Sequence, residues 1–158
     1  MLSVLDIFKI GIGPSSSHTV GPMLIAKQFL DDLMADYDIS SVHAVKVNLY
    51  GSLAFTGPGH GTDRATVLGL MGFAPDEADP GSCERALTRL AETGMIPLHG
   101  GDVIGFNPET DIRFRIEEEP LAHPNGMRLS AFGVGGQEIF SETYFSLGGG
   151  FTCRESEL

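Results

Sequence analysis

The sequence predicts an α+β domain, an antiparallel or mixed sheet with helices packed on one face. Three observations carry that prediction. The front half holds apolar residues at helical spacing around one early alternating segment. The back half holds clustered segments that alternate apolar and polar residues, joined by glycine-rich turns. No internal repeat interrupts this order. Met23, Ala26, Leu30 and Leu33 recur at spacings of three and four, which predicts an amphipathic helix over about 20–37. Ser17 or Thr19 is placed to cap it, and Pro22 falls in its first turn, where a missing N–H does no harm. After a polar connector at 36–41, Val45, Val47 and Leu49 alternate with Lys46, Asn48 and Tyr50, a half-buried strand. Residues 51–61 hold four glycines, a proline and His60 and read as loop. Thr62 or Asp63 then caps a helix running to Gly72, and a third helix spans about 82–93, ended by Gly94. Ile112, Phe114 and Ile116 mark a second strand. Met127, Leu129 and Ala131 mark a third, which Gly133 to Gly136 turn into a fourth at 138–145. Phe29, Phe114 and Phe145 fall on apolar faces and read as core. Glu117 to Glu119 read as a solvated acidic run, and the glycines at 148–150 as a flexible hinge.

At 158 residues, with 42% apolar and 20% charged side chains, the chain fits one domain able to bury a core without staples. A net charge of −11 with no basic run excludes a nucleic-acid-binding reading and favours a protein that handles a small molecule. Cys83 and Cys153 form neither a disulfide framework nor a metal-binding spacing. The opening six residues carry Asp6 where a signal peptide carries bases, and no apolar run approaches the roughly 18 residues that span a bilayer. A cytoplasmic location with no membrane contact is the expectation.

Chemistry concentrates in Gly13-Pro14-Ser15-Ser16-Ser17-His18-Thr19-Val20-Gly21-Pro22. Three hydroxyls and an imidazole lie between two Gly-Pro signals just before a helix. Backbone N–H groups, hydroxyls and His18 are therefore aimed at one spot at the positive end of a helix dipole, which suits a carboxylate or phosphate. His60 occupies a parallel context, Gly59-His60-Gly61-Thr62-Asp63, before the next helix. If the two helix starts converge, the imidazoles of His18 and His60 grip one small zwitterion, and one of them is placed for proton transfer. The plainer alternative for each is a turn histidine bonded to backbone. A Ser-His-Asp hydrolase lacks its nucleophile elbow here, because Ser15, Ser16 and Ser17 are not framed as Gly-x-Ser-x-Gly after a strand. A zinc site from His18, His60 and Asp63 lacks a close-spaced ligand pair. A third polar cluster, His123-Pro124-Asn125-Gly126-Met127, is first a turn signal and second a small-molecule or interface site.

These motifs, with Asp6-Ile7-Phe8-Lys9, Tyr50-Gly51-Ser52-Leu53 and the stretch from Tyr144 to Phe151, resemble the β domain of bacterial iron–sulfur-dependent L-serine dehydratases (L-serine ammonia-lyases) of the single-chain type. The resemblance implies a lyase of amino-acid degradation, and of gluconeogenesis, that converts L-serine to pyruvate and ammonia with a four-iron, four-sulfur cluster and no pyridoxal phosphate. It implies a fold similar to the allosteric substrate-binding domain of some phosphoglycerate dehydrogenases. Residues 1–147 would be the substrate-closing and regulatory domain. Residues 148–158 would begin a linker to a catalytic iron–sulfur domain whose cysteines hold the cluster, so that this chain alone binds no cluster or other metal and is inactive. Carried over by position, Ser15, Ser16, Ser17, His18 and Thr19 face the cluster and hold the substrate carboxylate and amine. His60 and Thr62 come from the opposing loop, with His60 in the proton-transfer role. His123 and Asn125 resemble a second, allosteric L-serine site at a subunit or domain boundary, in an enzyme expected to be a homodimer. The rival reading is a free-standing amino-acid-binding module that only regulates a partner.

Overall fold

The computed structural model describes residues 16–56, 61–116 and 122–158. Helix α1 spans Gly21–Asp36 with Pro22 in its first turn, as its apolar period requires. Neither Ser17 nor Thr19 caps it. The preceding Ser16–Val20 forms a π-helical turn that runs straight into α1, and the N-cap position falls on Val20, which makes no side-chain cap bond. Strand β1 spans Ala44–Tyr50. It leads directly into a short helix, α2, at Gly51–Thr56, where the sequence predicts loop. The glycine content argued for a loop, but Leu53 and Ala54 have no exposed surface, so burial decides the local structure. Helix α3 spans Thr62–Leu70. Its N-cap is Gly61 in the left-handed region, so Thr62 begins the helix and neither it nor Asp63 caps it.

Helix α4, Pro80–Thr93, ends at a left-handed Gly94, as predicted. At its start the Asp79 carboxylate accepts from the Ser82 N–H at 2.9 Å and from the Ser82 hydroxyl at 2.8 Å. Those bonds hold the Asp79 carboxyl below its ordinary value of 3.8, the side-chain bond most and the backbone bond next. A carboxyl depressed in the folded state stabilises above its unfolded value, and that contribution is lost as pH falls through the lower folded value. The urea midpoint of Asp79→Ala is therefore expected to lie below wild type at neutral pH, with the gap closing in titrations taken below pH 3.8. A gap unchanged in acid would show that the cap is not the cause.

A small hairpin, β2 (Met95–Pro97) with β3 (Val103–Gly105), and a four-residue helix α5 (Pro108–Asp111) follow. Strands β4 (Ile112–Arg115), β5 (Gly126–Phe132), β6 (Glu138–Gly148) and β7 (Phe151–Arg154) complete a five-stranded sheet of order β4-β1-β5-β6-β7. Among the described residues only the β1–β4 pair of this sheet is parallel, which makes it mixed. The glycines at 148–150 all take positive φ and form the β6–β7 turn instead of a hinge. The stretch read as an exit into a linker thus contains the edge strand. The hairpin, α5 and β7 escape the sequence reading because each is only three or four residues long, too short to show a period.

Register places Val45, Val47 and Leu49 beside Ala131, Leu129 and Met127 on one face, with Phe140 and Tyr144 of β6 continuing that face. Helix α1 packs there. Phe29 stacks on Phe140 with ring centroids 5.5 Å apart, and the Tyr144 hydroxyl donates to the Asp32 carboxylate at 2.6 Å. Burial, and then that bond, push the Tyr144 phenol up, so it stays a donor. Phe29 and Phe145 are fully buried, and Phe114 packs partly buried against the core. No helix among the described residues is long and apolar enough to cross a membrane.

Candidate functional site

The turn Ser16–Val20 lies where α1, α3 and β6 meet. Its backbone is clasped from two sides. The hydroxyl of Ser146, in β6, donates to the Ser17 carbonyl at 2.7 Å, and that of Thr62, at the start of α3, donates to the His18 carbonyl at 2.6 Å. Both clasping side chains are fully buried, so water competes poorly for these bonds. Thr62 passes the tie on, its own carbonyl accepting from the Thr66 hydroxyl at 2.8 Å. The side chains of Ser17 and His18 remain half-buried and reachable, while Thr19 is buried.

The imidazole of His18 sits between two serines. Nδ1 lies 2.8 Å from Ser17 Oγ and Nε2 lies 2.9 Å from Ser52 Oγ. A hydroxyl can donate or accept, so this cradle accommodates either neutral tautomer and also the imidazolium. That is what a group which takes up and returns a proton requires.

The polar cluster at 123–125 is joined to this turn. The Nδ2 of Asn125 donates to the Ser146 carbonyl at 3.1 Å, and the Ser146 N–H donates to the Asn125 carbonyl at 2.9 Å. His123 accepts the Asn125 N–H on Nδ1 at 3.1 Å and sets its ring edgewise on Phe145, centroids 6.0 Å apart. The Ser52 N–H donates to the Pro124 carbonyl at 2.7 Å. Gly51 makes this approach possible. Its φ is +54°, and a Cβ built there would lie 2.3 Å from the Pro124 carbonyl oxygen.

Of the residues singled out in the sequence, Ser17, His18, Thr62, His123 and Asn125 thus fall into one bonded neighbourhood. Ser16 contributes the first residue of the turn. Ser15, His60 and the side chain of Ser16 lie outside the described residues, so the expected meeting of His18 with His60 does too. Sequence reasoning missed the parts played by Ser52 and Ser146. Ser52 stood inside a motif quoted for the resemblance, and Ser146 is a polar residue next to the buried Phe145, but neither signal points to its partner.

Among the described residues no three His, Cys, Asp or Glu side chains come together as a metal site. Cys83 is buried in the helical layer, where desolvation pushes its thiol up to about 11. Cys153 on β7 is shifted the same way by burial and by Glu157. Iron–sulfur clusters are held by four thiolates, whereas these are two cysteines on different elements, α4 and β7. These two cysteines do not fit a cluster. A separate cleft of about 960 Å³ opens between α3, α4 and the β3–α5 segment, with Val67, Leu90 and Phe106 at its floor and Arg64 among carboxylates at its rim. His18 does not line it, so the cleft and the imidazole cradle are distinct features.

The protein family described as serine dehydratase beta chain matches residues 3–157. The chain is 46% identical to L-serine dehydratase 2 of Escherichia coli strain K12 over 159 aligned residues, covering 100% of this chain and 34% of that protein. It is 44% identical to an L-serine dehydratase of Streptomyces coelicolor, covering 99% and 34%, and 40% identical to one of Haemophilus influenzae, covering 100% and 35%. The chain spans about a third of the length of these curated relatives. A match running from residue 3 to residue 157 takes in the serine–histidine turn, the start of α3 and the 123–125 cluster alike, and the chain belongs to the serine dehydratase beta chain family.

Proposed function

We propose that this chain is the substrate-closing and regulatory part of an L-serine dehydratase. The reaction removes the α proton and the β hydroxyl of L-serine as water, and the resulting aminoacrylate hydrolyses to pyruvate and ammonia. The observation that carries the reading is the seating of the His18 imidazole between Ser17 and Ser52 in a chain of this family. Ser15, Ser16 and Ser17 provide hydroxyls and N–H groups for the substrate carboxylate and amine, with the fully buried Thr19 behind them supporting the turn. His18 and His60 hold and move the proton. Thr62 supports the site through its bond to the His18 carbonyl, which fixes the turn in front of α3.

The cysteines that hold the four-iron, four-sulfur cluster belong to the remaining two-thirds of the enzyme. His123 and Asn125 form the allosteric L-serine site. The bonds of Asn125 to Ser146 and of the intervening Pro124 carbonyl to Ser52 support that role, because a ligand there pulls on groups that touch the catalytic turn. A fold like the allosteric substrate-binding domain of phosphoglycerate dehydrogenases, a homodimer and a cytoplasmic location complete the proposal.

Complementation tests it. Mixing this chain with a separately prepared cysteine-bearing remainder, reconstituted anaerobically with iron and sulfide, is expected to give pyruvate from L-serine, and neither part alone is expected to. The free-standing regulatory module is the correct reading if the remainder turns over at its full rate without this chain.

A further inference from the structure

We propose that Ser52 is a positioning residue, the side chain through which the 123–125 loop sets the ring of His18; its kinetic consequence rests on the dehydratase reading above. Ser52 joins two different clusters. Its N–H donates to the Pro124 carbonyl at 2.7 Å, and its Oγ lies 2.9 Å from His18 Nε2. Three covalent bonds separate those two atoms, so a movement of Pro124 reaches the imidazole through one short, stiff path.

The backbone around Ser52 has little room to absorb such a movement. Gly51 takes a φ of +54° and passes so close to Pro124 that a Cβ there would lie 2.3 Å from its carbonyl oxygen, and Leu53 is fully buried. The same loop has a second grip on the turn, through Asn125 to Ser146 and from Ser146 Oγ to the Ser17 carbonyl. That grip acts on the backbone of the turn. Ser52 acts on the ring. With Ser17 on Nδ1 and Ser52 on Nε2, the ring of His18 is held at both nitrogens by hydroxyls, one local and one tied to the 123–125 loop.

Two measurements test this, one of them independent of turnover. In long-range ¹H–¹⁵N spectra of the chain, Ser52→Ala is expected to change the His18 Nδ1 and Nε2 shifts and its titration midpoint, and Ser52→Thr, which keeps the hydroxyl, is expected to leave them near wild type. Asn125→Ala is expected to move the His18 ring signals more in wild type than in a Ser52→Ala background. His18 signals identical in wild type and Ser52→Ala overturn the proposal. In the full-length, cluster-loaded enzyme, Ser52→Ala is expected to lower kcat about tenfold to a hundredfold with KM within about twofold, the loss a small misplacement of a catalytic group produces. Ser52→Thr is expected to restore most of it. Equal losses in both variants, or none in either, overturn it. Should Ser52→Ala fail to fold, Ser52→Cys, of similar size but a weak hydrogen-bonding partner, serves in both measurements. A wild-type enzyme that does not consume L-serine sinks the dehydratase reading, and the ring spectra then decide on Ser52 alone.

Discussion

Exchanging His18 for alanine is expected to lower kcat of the assembled enzyme by about 10²- to 10⁴-fold, the usual contribution of a positioned acid–base group, while the domain stays folded. The two halves of this expectation have separate causes. The fold is indifferent because the bonds that anchor the turn use main-chain carbonyls. Thr62 reaches the His18 carbonyl and Ser146 the Ser17 carbonyl, and both survive loss of the ring. The serine hydroxyls left behind are half-buried and within reach of water, which limits the cost of losing the imidazole. Turnover is not indifferent, because water cannot supply a proton acceptor held between two hydroxyls 2.8 and 2.9 Å from its nitrogens. Steady-state kinetics with a thermal melt on the same preparation separates the two. A loss confined to KM would make His18 a binding group instead of a proton carrier. His60→Ala is expected to match His18→Ala in kcat if the two imidazoles share the work, and unchanged kcat in either variant removes that residue from the mechanism.

The elements legible in the sequence are those whose own residues repeat. Helix α1 shows its 3.6-residue period across four turns, and β1 and β5 show clean alternation, because each presents one face to the same core. Helix α2 was not legible, since Gly51 signals a turn and only distant packing of Leu53 and Ala54 makes the next residues helical. The observed caps of α1 and α3, Val20 and Gly61, differ from the expected hydroxyl caps for a related reason. A hydroxyl ahead of an apolar run is a cap signal, but in this chain the hydroxyls of Ser17 and Thr62 are used on His18.

The site divides along the same line. The turn holding Ser17 and His18 stands out by composition, since hydroxyls and an imidazole framed by Gly-Pro on both sides serve no packing purpose. Its partners Ser52 and Ser146 lie 34 and 129 residues away from the groups they touch, beyond any local pattern. The 123–125 cluster and the His18 turn therefore read as two sites in the sequence, whereas Ser52 and Ser146 bind them into one neighbourhood.

Replacing Gly69 with alanine is expected to destabilise the fold, against the direction helix propensity alone dictates. In an exposed helix the change gains up to about 1 kcal/mol. Here α3 packs so tightly on α1 that the new Cβ would lie 2.2 Å from the Met23 carbonyl oxygen and 2.8 Å from the Ala26 Cβ. Neither neighbour is the end of a flexible side chain, so the helices themselves have to part. Overpacking of this kind costs roughly 1–3 kcal/mol, which for a chain of this size lowers Tm by about 3–10 °C. Ala26→Gly in the same chain removes one of the two collisions and leaves the one with the carbonyl, so the double variant is expected to recover only part of the loss. The consequence reaches the site, because parting the helices pulls Thr62 at the head of α3 away from the His18 carbonyl in front of α1. Thermal melts of the three variants test the packing. A Gly69→Ala protein more stable than wild type would mean that propensity outweighs contact here, and that the clasp on His18 does not depend on how closely the two helices approach.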